Sequence, residues 1–348
     1  MNILVTGGCG FIGSHVVRLL ISKGIGVVNL DKLTYAGNPE NVRDVGRHPK
    51  YRFIKGDICD AGVVRRAARG VDGILNLAAE THVDRSILDP GAFIRTDMIG
   101  TYVLLEEARL RRLKFFVQVS TDEVYGSVSS GKATEGSPLR PTNPYAASKL
   151  GADRLAHSYY ATYGMRIIIT RGSNTYGPFQ FPEKLIPLTI IRALLGEPIP
   201  VYGDGRNVRD WLRAEDHAEA IWLAARRGRT GEAYNISGGS ERENIWIVRK
   251  ILSAAGAPEK LISYVKDREG HDRRYAMSGA KIRRELGWQP RRPDIADGIR
   301  QTVDWYRENR RWWEPVVRRN AAFRNYFDRQ YGHRWGGGGR RRADGKQK

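Results

Sequence analysis

The sequence predicts an α/β fold, with a doubly wound parallel sheet followed by a smaller, mixed α/β C-terminal lobe. Short apolar segments alternate with longer amphipathic segments through the first half of the chain. The apolar segments are rich in Val, Ile, Leu and Phe, which is typical of parallel strands covered by helices on both faces. Beyond about residue 170 the alternation becomes irregular, and Pro, Gly and Trp are more frequent. The first half therefore predicts the sheet, and the second half predicts the smaller lobe.

The predicted elements follow in order along the chain. Apolar runs predict strands at residues 2–6, 26–30, 51–54, 73–77, 115–120 and 166–170. Helical periodicity lies between most of them, at residues 11–22, 61–69, 93–111 and 144–163. Further helices are predicted at residues 185–195, 215–227, 245–255 and 295–307. We expect a first domain at residues 1–171 that also receives 214–236, a second lobe at 172–330, and a flexible basic tail at 331–348.

The composition excludes several classes of protein. Hydrophobic residues are 41% of the chain and charged residues 28%, which is ordinary for a folded globular protein. The chain lacks a stretch of about 18 uncharged apolar residues, so we expect no membrane span. Residues 1–4 have the pattern of a buried strand rather than a signal peptide. The two cysteines, Cys9 and Cys59, cannot alone form a disulfide framework or a metal cluster, so we expect no metal and a reducing cytoplasm.

The net charge of +20 raises nucleic acid as a partner. The charge is uneven, because residues 307–348 hold 13 basic and 4 acidic residues. The last of these are a glycine run followed by arginines, which is typical of a flexible tail. We therefore expect a solvated basic surface rather than a nucleic-acid site. A small polyanionic substrate, such as a nucleotide diphosphate, would also favour a positive field.

The first motif is a glycine-rich turn between strand 2–6 and helix 11–22. Gly7, Gly10 and Gly13 allow a tight turn and bring backbone N–H groups against a pyrophosphate at a helix N-terminus. Asp31 ends the next strand, 18 residues after Gly13. A carboxylate there accepts hydrogen bonds from an adenosine ribose and repels a 2′-phosphate, which favours NAD over NADP. Asp57, at the end of the following strand, is predicted to face the adenine.

The second motif is Tyr145 and Lys149, four residues apart on one face of a predicted helix. A nearby ammonium and a bound nicotinamide cation would lower the pKa of the phenol and make it a base. Tyr51 and Lys55 have the same spacing, but they lie on a predicted strand and are interpreted as structural. The Tyr145 pair differs because it follows Pro144 at the start of a helix.

The third motif is Thr121-Asp122-Glu123, which follows the apolar strand 115–120. Ligands of open α/β sheets bind outside the carboxyl ends of the strands. Two adjacent carboxylates at such a place can divide the duties of general acid and general base. The alternative is a solvated acidic turn, which the presence of the other two motifs makes the weaker interpretation.

Together these motifs resemble the extended short-chain dehydrogenase/reductase superfamily, whose Rossmann domain binds a dinucleotide. Longer segments are similar to the dTDP-glucose 4,6-dehydratase family: residues 30–37, 78–86, 120–126, 177–187, 202–211 and 267–275. The resemblance runs in order from residue 1 to about 310. It implies an NAD-dependent hydro-lyase that acts on a sugar nucleotide, dTDP-glucose, and yields its 4-keto-6-deoxy derivative.

The resemblance also implies catalytic roles. Thr121 with Tyr145 and Lys149 would hold and deprotonate the glucose 4-hydroxyl while hydride leaves carbon 4. Glu123 would remove the proton from carbon 5, and Asp122 would protonate the departing 6-hydroxyl. The hydride would then return to carbon 6.

The binding residues that the resemblance implies fall into two sets. The cofactor set is Gly7, Gly10, Phe11, Ile12, Gly13, Asp31, Lys32, Leu33, Thr34, Asp57, Ile58, Leu77, Ala78, Ala79, Thr81, Thr96, Tyr145, Lys149 and Thr175. The substrate set is Thr81, Arg85, Thr121, Asn174, Lys184, Leu185, Pro200, Val201, Tyr202, Arg209, Asn244, Asp267, Arg268 and His271. Lys184, Arg209 and His271 suit a diphosphate.

The sequence departs from the family pattern at two places. The family usually has two asparagines before Tyr-Gly-Pro, and here Asn174 is followed by Thr175. The second asparagine would orient the nicotinamide, a contact that a hydroxyl replaces only in part. Cys9 stands where alanine is common, and we expect it to be a packing residue.

Other functions remain open at this point. A nucleotide-sugar 4-epimerase or a glucuronate decarboxylase shares the scaffold, but neither normally offers both carboxylates after the threonine. UDP-glucose is a second possible substrate. A different class is an NAD-binding sensor that binds nucleic acid through its basic tail, against which the complete catalytic set argues; the salt dependence of DNA binding discriminates it.

The resemblance finally implies a homodimer. Relatives pair the helices at 93–111 and 144–163 with the same helices of a second subunit, in a four-helix contact. Both stretches carry more apolar positions than one sheet face needs, including Met98, Tyr102, Leu105, Tyr159 and Tyr160.

Overall fold

The structure, a computed structural model, describes residues 1–291, 294–319 and 321–331. Its strands are β1 (Asn2–Thr6), β2 (Gly26–Asp31), β3 (Tyr51–Lys55), β4 (Gly73–Asn76), β5 (Phe115–Thr121), β6 (Ile167–Gly172), β7 (Asn174–Tyr176), β8 (Ile199–Tyr202), β9 (Val208–Arg213), β10 (Ala233–Ile236), β11 (Glu241–Glu243) and β12 (Ile262–Val265). Its α-helices are α1 (Phe11–Ser22), α2 (Ala61–Ala67), α3 (Val83–Leu88), α4 (Pro90–Phe93), α5 (Thr101–Leu110), α6 (Pro144–Tyr163), α7 (Leu185–Leu195), α8 (Ala214–Arg227), α9 (Asn244–Ala255), α10 (Ala280–Leu286), α11 (Ile295–Glu308), α12 (Arg310–Arg319) and α13 (Ala321–Tyr331).

A seven-stranded parallel sheet forms the centre of the described chain, in the order β10-β6-β5-β4-β1-β2-β3. The strand order reverses at β1, which lies between β4 and β2. Ligands of such sheets bind at the crevice where the order reverses, outside the carboxyl ends of the strands. The predicted fold class is confirmed, and β10 shows that residues from the second half complete the sheet.

Two apolar layers cover the sheet. The buried side chains of β1 alternate, because Ile3 and Val5 pack with α1 and α8 residues whereas Leu4 packs with α2 and α5 residues. This alternation follows from the two-residue period of a strand. Both faces of the sheet are therefore apolar, as the continuous Val, Ile and Leu runs predicted.

The second lobe contains two small sheets, β11-β9-β7 and β12-β8. Its core gathers side chains from α7, α9 and α11, with the indole of Trp313 fully buried among them. The C-terminal helix α13 reaches back to this lobe, where Tyr331 stacks on Tyr202 with ring centroids 5.8 Å apart.

The predicted helix at 93–111 is not α-helical throughout. Residues Ile94–Gly100 form a π-helix that continues into α5, which begins at Thr101. A π-helix has i→i+5 hydrogen bonds and is rare, and such turns are frequent at functional sites. Tyr331, the first residue of the predicted tail, is the buried last residue of α13, and residues 332–348 lie outside the described part.

No helix in the described ranges is both long enough and apolar enough to span a bilayer.

Candidate functional site

A cavity of about 300 Å³ lies at the carboxyl ends of the central strands. One end is lined by the glycine turn after β1 and by Asp31 at the end of β2. The other end is lined by Glu123 after β5, by Tyr145 on α6 and by Thr175 on β7. The three predicted motifs therefore line one cavity, which is long enough to connect them.

The glycine turn is shaped by backbone contacts that exclude side chains. A Cβ atom on Gly13 would lie 2.1 Å from the carbonyl oxygen of Gly7. Gly7 itself has φ +69, and a Cβ there would lie 2.8 Å from the backbone nitrogen of Ala78. Glycine is required at both positions because the chain turns tightly and approaches β4 closely. The turn leaves the N-terminus of α1 open to the cavity.

Two backbone N–H groups hold the carboxylate of Asp31 at the end of β2. Its Oδ2 accepts from Cys9 N at 2.9 Å, and its Oδ1 accepts from Leu33 N at 2.8 Å. Burial raises the pKa of the carboxyl, and these two hydrogen bonds oppose the rise. Beside it, Lys32 Nζ lies 2.7 Å from Asp57 Oδ2 in an ion pair.

Tyr145 and Lys149 share the face of α6 that points to the cavity. The helix begins at Pro144 because Asn143 caps it, accepting from Ala146 N at 2.9 Å. Lys149 is buried and donates from Nζ to the carbonyl oxygen of Val119 on β5, 2.7 Å away. This bond fixes the ammonium against the strand that carries the carboxylates.

The pKa values of this couple move in the directions that burial dictates. Burial raises the pKa of the Tyr145 hydroxyl well above its usual value, and the charges of Glu123 and Asp97 raise it further. Burial lowers the pKa of Lys149, against which the charge of Asp97 acts. The sequence predicted that Lys149 would help to lower the pKa of Tyr145, but the groups of the protein together raise it. A lowered pKa would therefore require the positive charge of a bound nicotinamide.

Asp122 and Glu123 begin a short 3₁₀ turn, Asp122–Tyr125, directly after β5. Thr121 caps this turn, because its hydroxyl accepts from Glu123 N at 3.3 Å. The same hydroxyl donates to Asp122 Oδ1 at 3.2 Å. The turn separates the two carboxylates, since Asp122 is buried whereas Glu123 is half-buried.

Asp122 has the surroundings of a proton donor. Burial raises the pKa of its carboxyl well above the usual value, and the charge of Glu123 adds to the rise. Its Oδ2 has no hydrogen-bond partner among the described residues. Glu123 Oε2 by contrast lies 3.4 Å from both Asn143 Nδ2 and the Tyr275 hydroxyl. The two adjacent carboxylates are therefore placed in different environments, as acid and base duties require.

The cavity brings together nearly all of the predicted cofactor residues. Leu33 is the exception, since it packs against the core beneath the sheet and offers only its backbone nitrogen to Asp31. The predicted cofactor residues that line the cavity are Gly7, Gly10, Phe11, Ile12, Gly13, Asp31, Lys32, Thr34, Asp57, Ile58, Leu77, Ala78, Ala79, Thr81, Thr96, Tyr145, Lys149 and Thr175.

The predicted substrate residues divide into two groups. Thr81, Thr121, Asn174 and Lys184 line the cavity. The others do not line it: Arg85, Leu185, Pro200, Val201, Tyr202, Arg209, Asn244, Asp267, Arg268 and His271. Arg85 lies on α3, and the others lie on α7, β8, β9, α9 and the loop after β12.

Several of these outer residues nevertheless connect to the cavity through direct contacts. The Arg209 guanidinium lies 4.1 Å from the ring centre of Tyr275, whose hydroxyl reaches Glu123. Arg268 pairs with Asp84 at 3.4 Å, and Tyr202 donates to the same carboxylate at 3.1 Å. The guanidinium groups of Arg209 and Arg268 therefore lie outside the cavity itself.

Sequence reasoning missed some residues that line the cavity. The polar ones are Ser120, Ser173, Gln180, Glu183 and His217. Ser120, Gln180 and Glu183 lie inside segments that carry the family resemblance, so the signal was present. His217 had no such signal, because it follows Thr175 by 42 residues and meets it only in the fold.

Comparison with known proteins gives consistent results. A family model described as GDP-mannose 4,6 dehydratase matches residues 4–302. A dTDP-glucose 4,6-dehydratase of Actinoplanes sp. is 51% identical over 320 residues, covering 90% of this chain and all of that protein. One from Streptomyces griseus is also 51% identical, covering 91% of this chain and 97% of that protein.

Solved structures agree with these sequence relatives. DesIV, a dTDP-glucose 4,6-dehydratase from Streptomyces venezuelae determined with NAD and TYD bound, superposes with a TM-score of 0.89. It is 50% identical, and the match covers 91% of this chain and all of that chain.

Proposed function

The chain belongs to the GDP-mannose 4,6 dehydratase family, and from this we propose that it is an NAD-dependent dTDP-glucose 4,6-dehydratase. It converts dTDP-glucose to dTDP-4-keto-6-deoxy-glucose by oxidation at carbon 4, loss of water across carbons 5 and 6, and reduction at carbon 6. The observation that carries the proposal is the placement of Asp122, Glu123 and Tyr145 on one cavity wall. A hydroxyl oxidation needs one base, and the elimination needs a second base and an acid.

The cavity fits NAD. The glycine turn forms a cradle that Cβ atoms on Gly7 or Gly13 would fill, which suits a pyrophosphate against backbone N–H groups. The carboxylate of Asp31 suits a ribose and opposes a 2′-phosphate. At the opposite end Ser120 Oγ and Asn174 Oδ1 are buried without a hydrogen-bond partner among the described residues. NAD bound here supplies an acceptor for the hydride of the sugar and gives it back within the same turnover.

Tyr145 and Lys149 serve the oxidation. With NAD bound, the Tyr145 phenolate would take the proton of the 4-hydroxyl and become the neutral phenol. Lys149, held by its hydrogen bond to the Val119 carbonyl, would stabilise the phenolate before the proton is transferred. Thr121 positions the sugar hydroxyl because its own hydroxyl is fixed as the cap of the carboxylate turn.

Glu123 and Asp122 serve the elimination. Glu123 removes the proton at carbon 5, which the neighbouring ketone makes acidic, and Asn143 Nδ2 orients its carboxylate by donating to Oε2. Burial raises the pKa of Asp122, which favours the protonated carboxyl that the departing 6-hydroxyl needs as its proton donor.

The sugar nucleotide extends from the carboxylates toward the second lobe. Lys184 lines the cavity, and its Nζ lies 3.4 Å from Thr81 Oγ1. We propose that Lys184, Arg209 and Arg268 neutralise the diphosphate, which agrees with their charge. Burial lowers the pKa of His271 to about 4, so this ring is neutral and contributes a hydrogen bond rather than a charge. Pro200, Val201, Tyr202, Leu185, Asn244 and Asp267 then form the nucleoside side, and Arg85 supports it through its 2.8 Å ion pair with Glu183.

The test separates the two candidate nucleotides. The purified protein is incubated with dTDP-glucose and with UDP-glucose in separate reactions, and the masses of the products are measured by mass spectrometry. Loss of one water from dTDP-glucose alone is the expected result. Water loss from UDP-glucose alone would show that UDP-glucose is the substrate. Epimerisation without water loss would show that the protein is an epimerase rather than a dehydratase.

We also propose a homodimer formed by α5, α6 and the π-helix. Ile94, Ile99 and Tyr102 expose about half of their surface, and Tyr160 and Tyr163 are exposed on α6. These side chains give the two helices an apolar outer surface, which suits a second copy. Leu105 and Tyr159, which the sequence also suggested for this surface, do not contribute because they are buried inside the subunit. Light scattering at micromolar concentration checks the mass, and a monomer would refute the dimer.

The two parts of the chain are proposed to bind different ligands. We propose that residues 1–171 with 214–236 hold NAD, since β10 extends the parallel sheet beside β6. Residues 172–330 then hold the sugar nucleotide. Cys9 and Cys59 are free thiols, which agrees with the reducing cytoplasm proposed from the sequence.

A further inference from the structure

Helix α13 carries a stripe of aromatic side chains that packs against the second lobe. Phe323, Phe327 and Tyr331 follow one another at intervals of four residues and therefore share one face of the helix. Phe323 and Tyr331 are buried, and the ring of Phe327 lies 6.2 Å from the first and 4.8 Å from the second, between centroids. The family model ends at residue 302, so this stripe lies beyond the matched part of the chain.

The last member of the stripe holds the side chain of Tyr202 on β8. The ring of Tyr331 stacks on that of Tyr202, with 5.8 Å between centroids and 27° between planes. Tyr202 donates its only hydroxyl proton to Asp84 Oδ2, 3.1 Å away. The two tyrosine hydroxyls also share a hydrogen bond, in which Tyr331 must be the donor because the Tyr202 proton is already used. Ring stacking and two hydrogen bonds therefore fix the orientation of Tyr202.

Tyr202 lies among the residues that we assign to the sugar nucleotide. The ring of His271 meets it edge-on, with 6.0 Å between centroids. Arg268 pairs with Asp84, the carboxylate that accepts the Tyr202 hydroxyl. Tyr202 nevertheless keeps part of its surface accessible. An aromatic ring that is held in place and still accessible suits stacking against a flat nucleoside base.

We propose that Tyr331 is a positioning residue of the sugar-nucleotide site, which holds the ring of Tyr202 ready to stack on the nucleoside base. The inference rests on the proposed function, because it requires a nucleoside diphosphate beside β8. Without Tyr331, the ring of Tyr202 would have to be ordered when the nucleotide binds, and this ordering weakens affinity. The hydride and proton transfers take place at Asp122, Glu123 and Tyr145, so they should not depend on Tyr331.

The test measures the affinity of the full-length protein for dTDP by titration calorimetry, which does not depend on turnover. Tyr331→Ala removes both the stacked ring and the hydroxyl. We expect its Kd for dTDP to rise by about 5-fold, the effect that one aromatic pair provides. The KM for dTDP-glucose should rise with the Kd, while kcat should be unchanged because only binding is affected.

Two further variants separate positioning from general packing. Tyr331→Phe keeps the stacked ring and loses only the hydroxyl, so its Kd should rise less than that of Tyr331→Ala. Tyr264→Ala makes the same chemical change on β12, the strand that pairs with β8, where the side chain of Tyr264 is 55% exposed. This control should bind dTDP as wild type does.

The outcomes separate this inference from the proposed function. An unchanged Kd in Tyr331→Ala, an equal rise in Tyr264→Ala, or a fall in kcat in place of a rise in KM would overturn the role of Tyr331 while the proposed reaction stands. Failure of wild type to bind dTDP would overturn the proposed substrate itself, and the inference with it.

Discussion

Asp153 on α6 and Arg171 on β6 form a buried ion pair, with Arg171 Nε 2.9 Å from Asp153 Oδ2. Their side chains are 0% and 2% exposed, so solvent does not screen the pair. Arg171 also donates to the Tyr125 hydroxyl at 2.8 Å, just after the carboxylate turn. This contact joins the helix that carries Tyr145 to the sheet edge that carries Glu123.

Replacing Asp153 with Ala should destabilise the protein strongly, because it leaves the Arg171 charge buried and unpaired. The expected loss in free energy of unfolding is about 3–5 kcal/mol. Urea unfolding at neutral pH measures it. The matched control is Glu40→Ala, which breaks an ion pair with Arg43 whose side chains are 57% and 79% exposed; it should cost less than about 1 kcal/mol. Similar losses in the two variants would contradict the prediction.

Tyr145→Phe and Glu123→Gln should stop the reaction at different stages. Tyr145→Phe removes the base for the 4-hydroxyl, so reduced nicotinamide should not form. Glu123→Gln keeps the shape of the side chain but removes the base for carbon 5. Oxidation should then proceed and water loss should stall, by the roughly 10²–10⁴-fold that a general base contributes.

Rapid mixing with dTDP-glucose measures this difference through the absorbance of reduced nicotinamide. The signal should accumulate in Glu123→Gln and be absent in Tyr145→Phe. Full oxidation by Tyr145→Phe, or none by a folded Glu123→Gln, would reverse the assignment. If the carboxylates only shape the turn, Asp122→Asn and Glu123→Gln should lose stability and activity together, without the signal.

The rate of water loss should fall at alkaline pH because of Asp122. Its raised pKa extends the pH range over which the carboxyl carries its proton, and the proton is lost as pH rises through that pKa. A proton donor is therefore present on the acid side and absent on the alkaline side. Asp122→Asn should be slower at neutral pH but milder than Glu123→Gln, since water or Glu123 can still protonate the leaving hydroxyl.

The measurement is product formation against pH for wild type and Asp122→Asn. The alkaline decline should disappear in the variant. An identical decline in both proteins would assign it to another group.

NAD rather than NADP should co-purify with the protein. The reaction is redox-neutral overall, so the cofactor need not leave between turnovers. The Asp31 carboxylate, fixed by Cys9 N and Leu33 N, lies where a 2′-phosphate would meet its charge. Chromatography of the nucleotides released by denaturation checks this. Recovery of NADP would show that Asp31 does not determine the preference for NAD over NADP.

The sequence by itself determined the parts of the site that are local in the chain. The glycine turn, the capped start of α6 with Tyr145 and Lys149, and the Thr121-Asp122-Glu123 turn each lie within a few residues of a strand end. Their backbone conformations depend on short-range sterics, capping and apolar periodicity, which can be recognised directly in the sequence. Most strands and helices of the first half were predictable for the same reason.

The tertiary structure alone decided which distant residues share the cavity. His217 meets Thr175 across 42 residues, and Tyr275 reaches Glu123 across 152. It also placed β10 beside β6 and turned Leu33 away from the cavity into the core. The direction of the Tyr145 pKa likewise depends on burial, which is a property of the packed chain. Such contacts arise from strand register and the closure of long loops, to which no local pattern in the sequence corresponds.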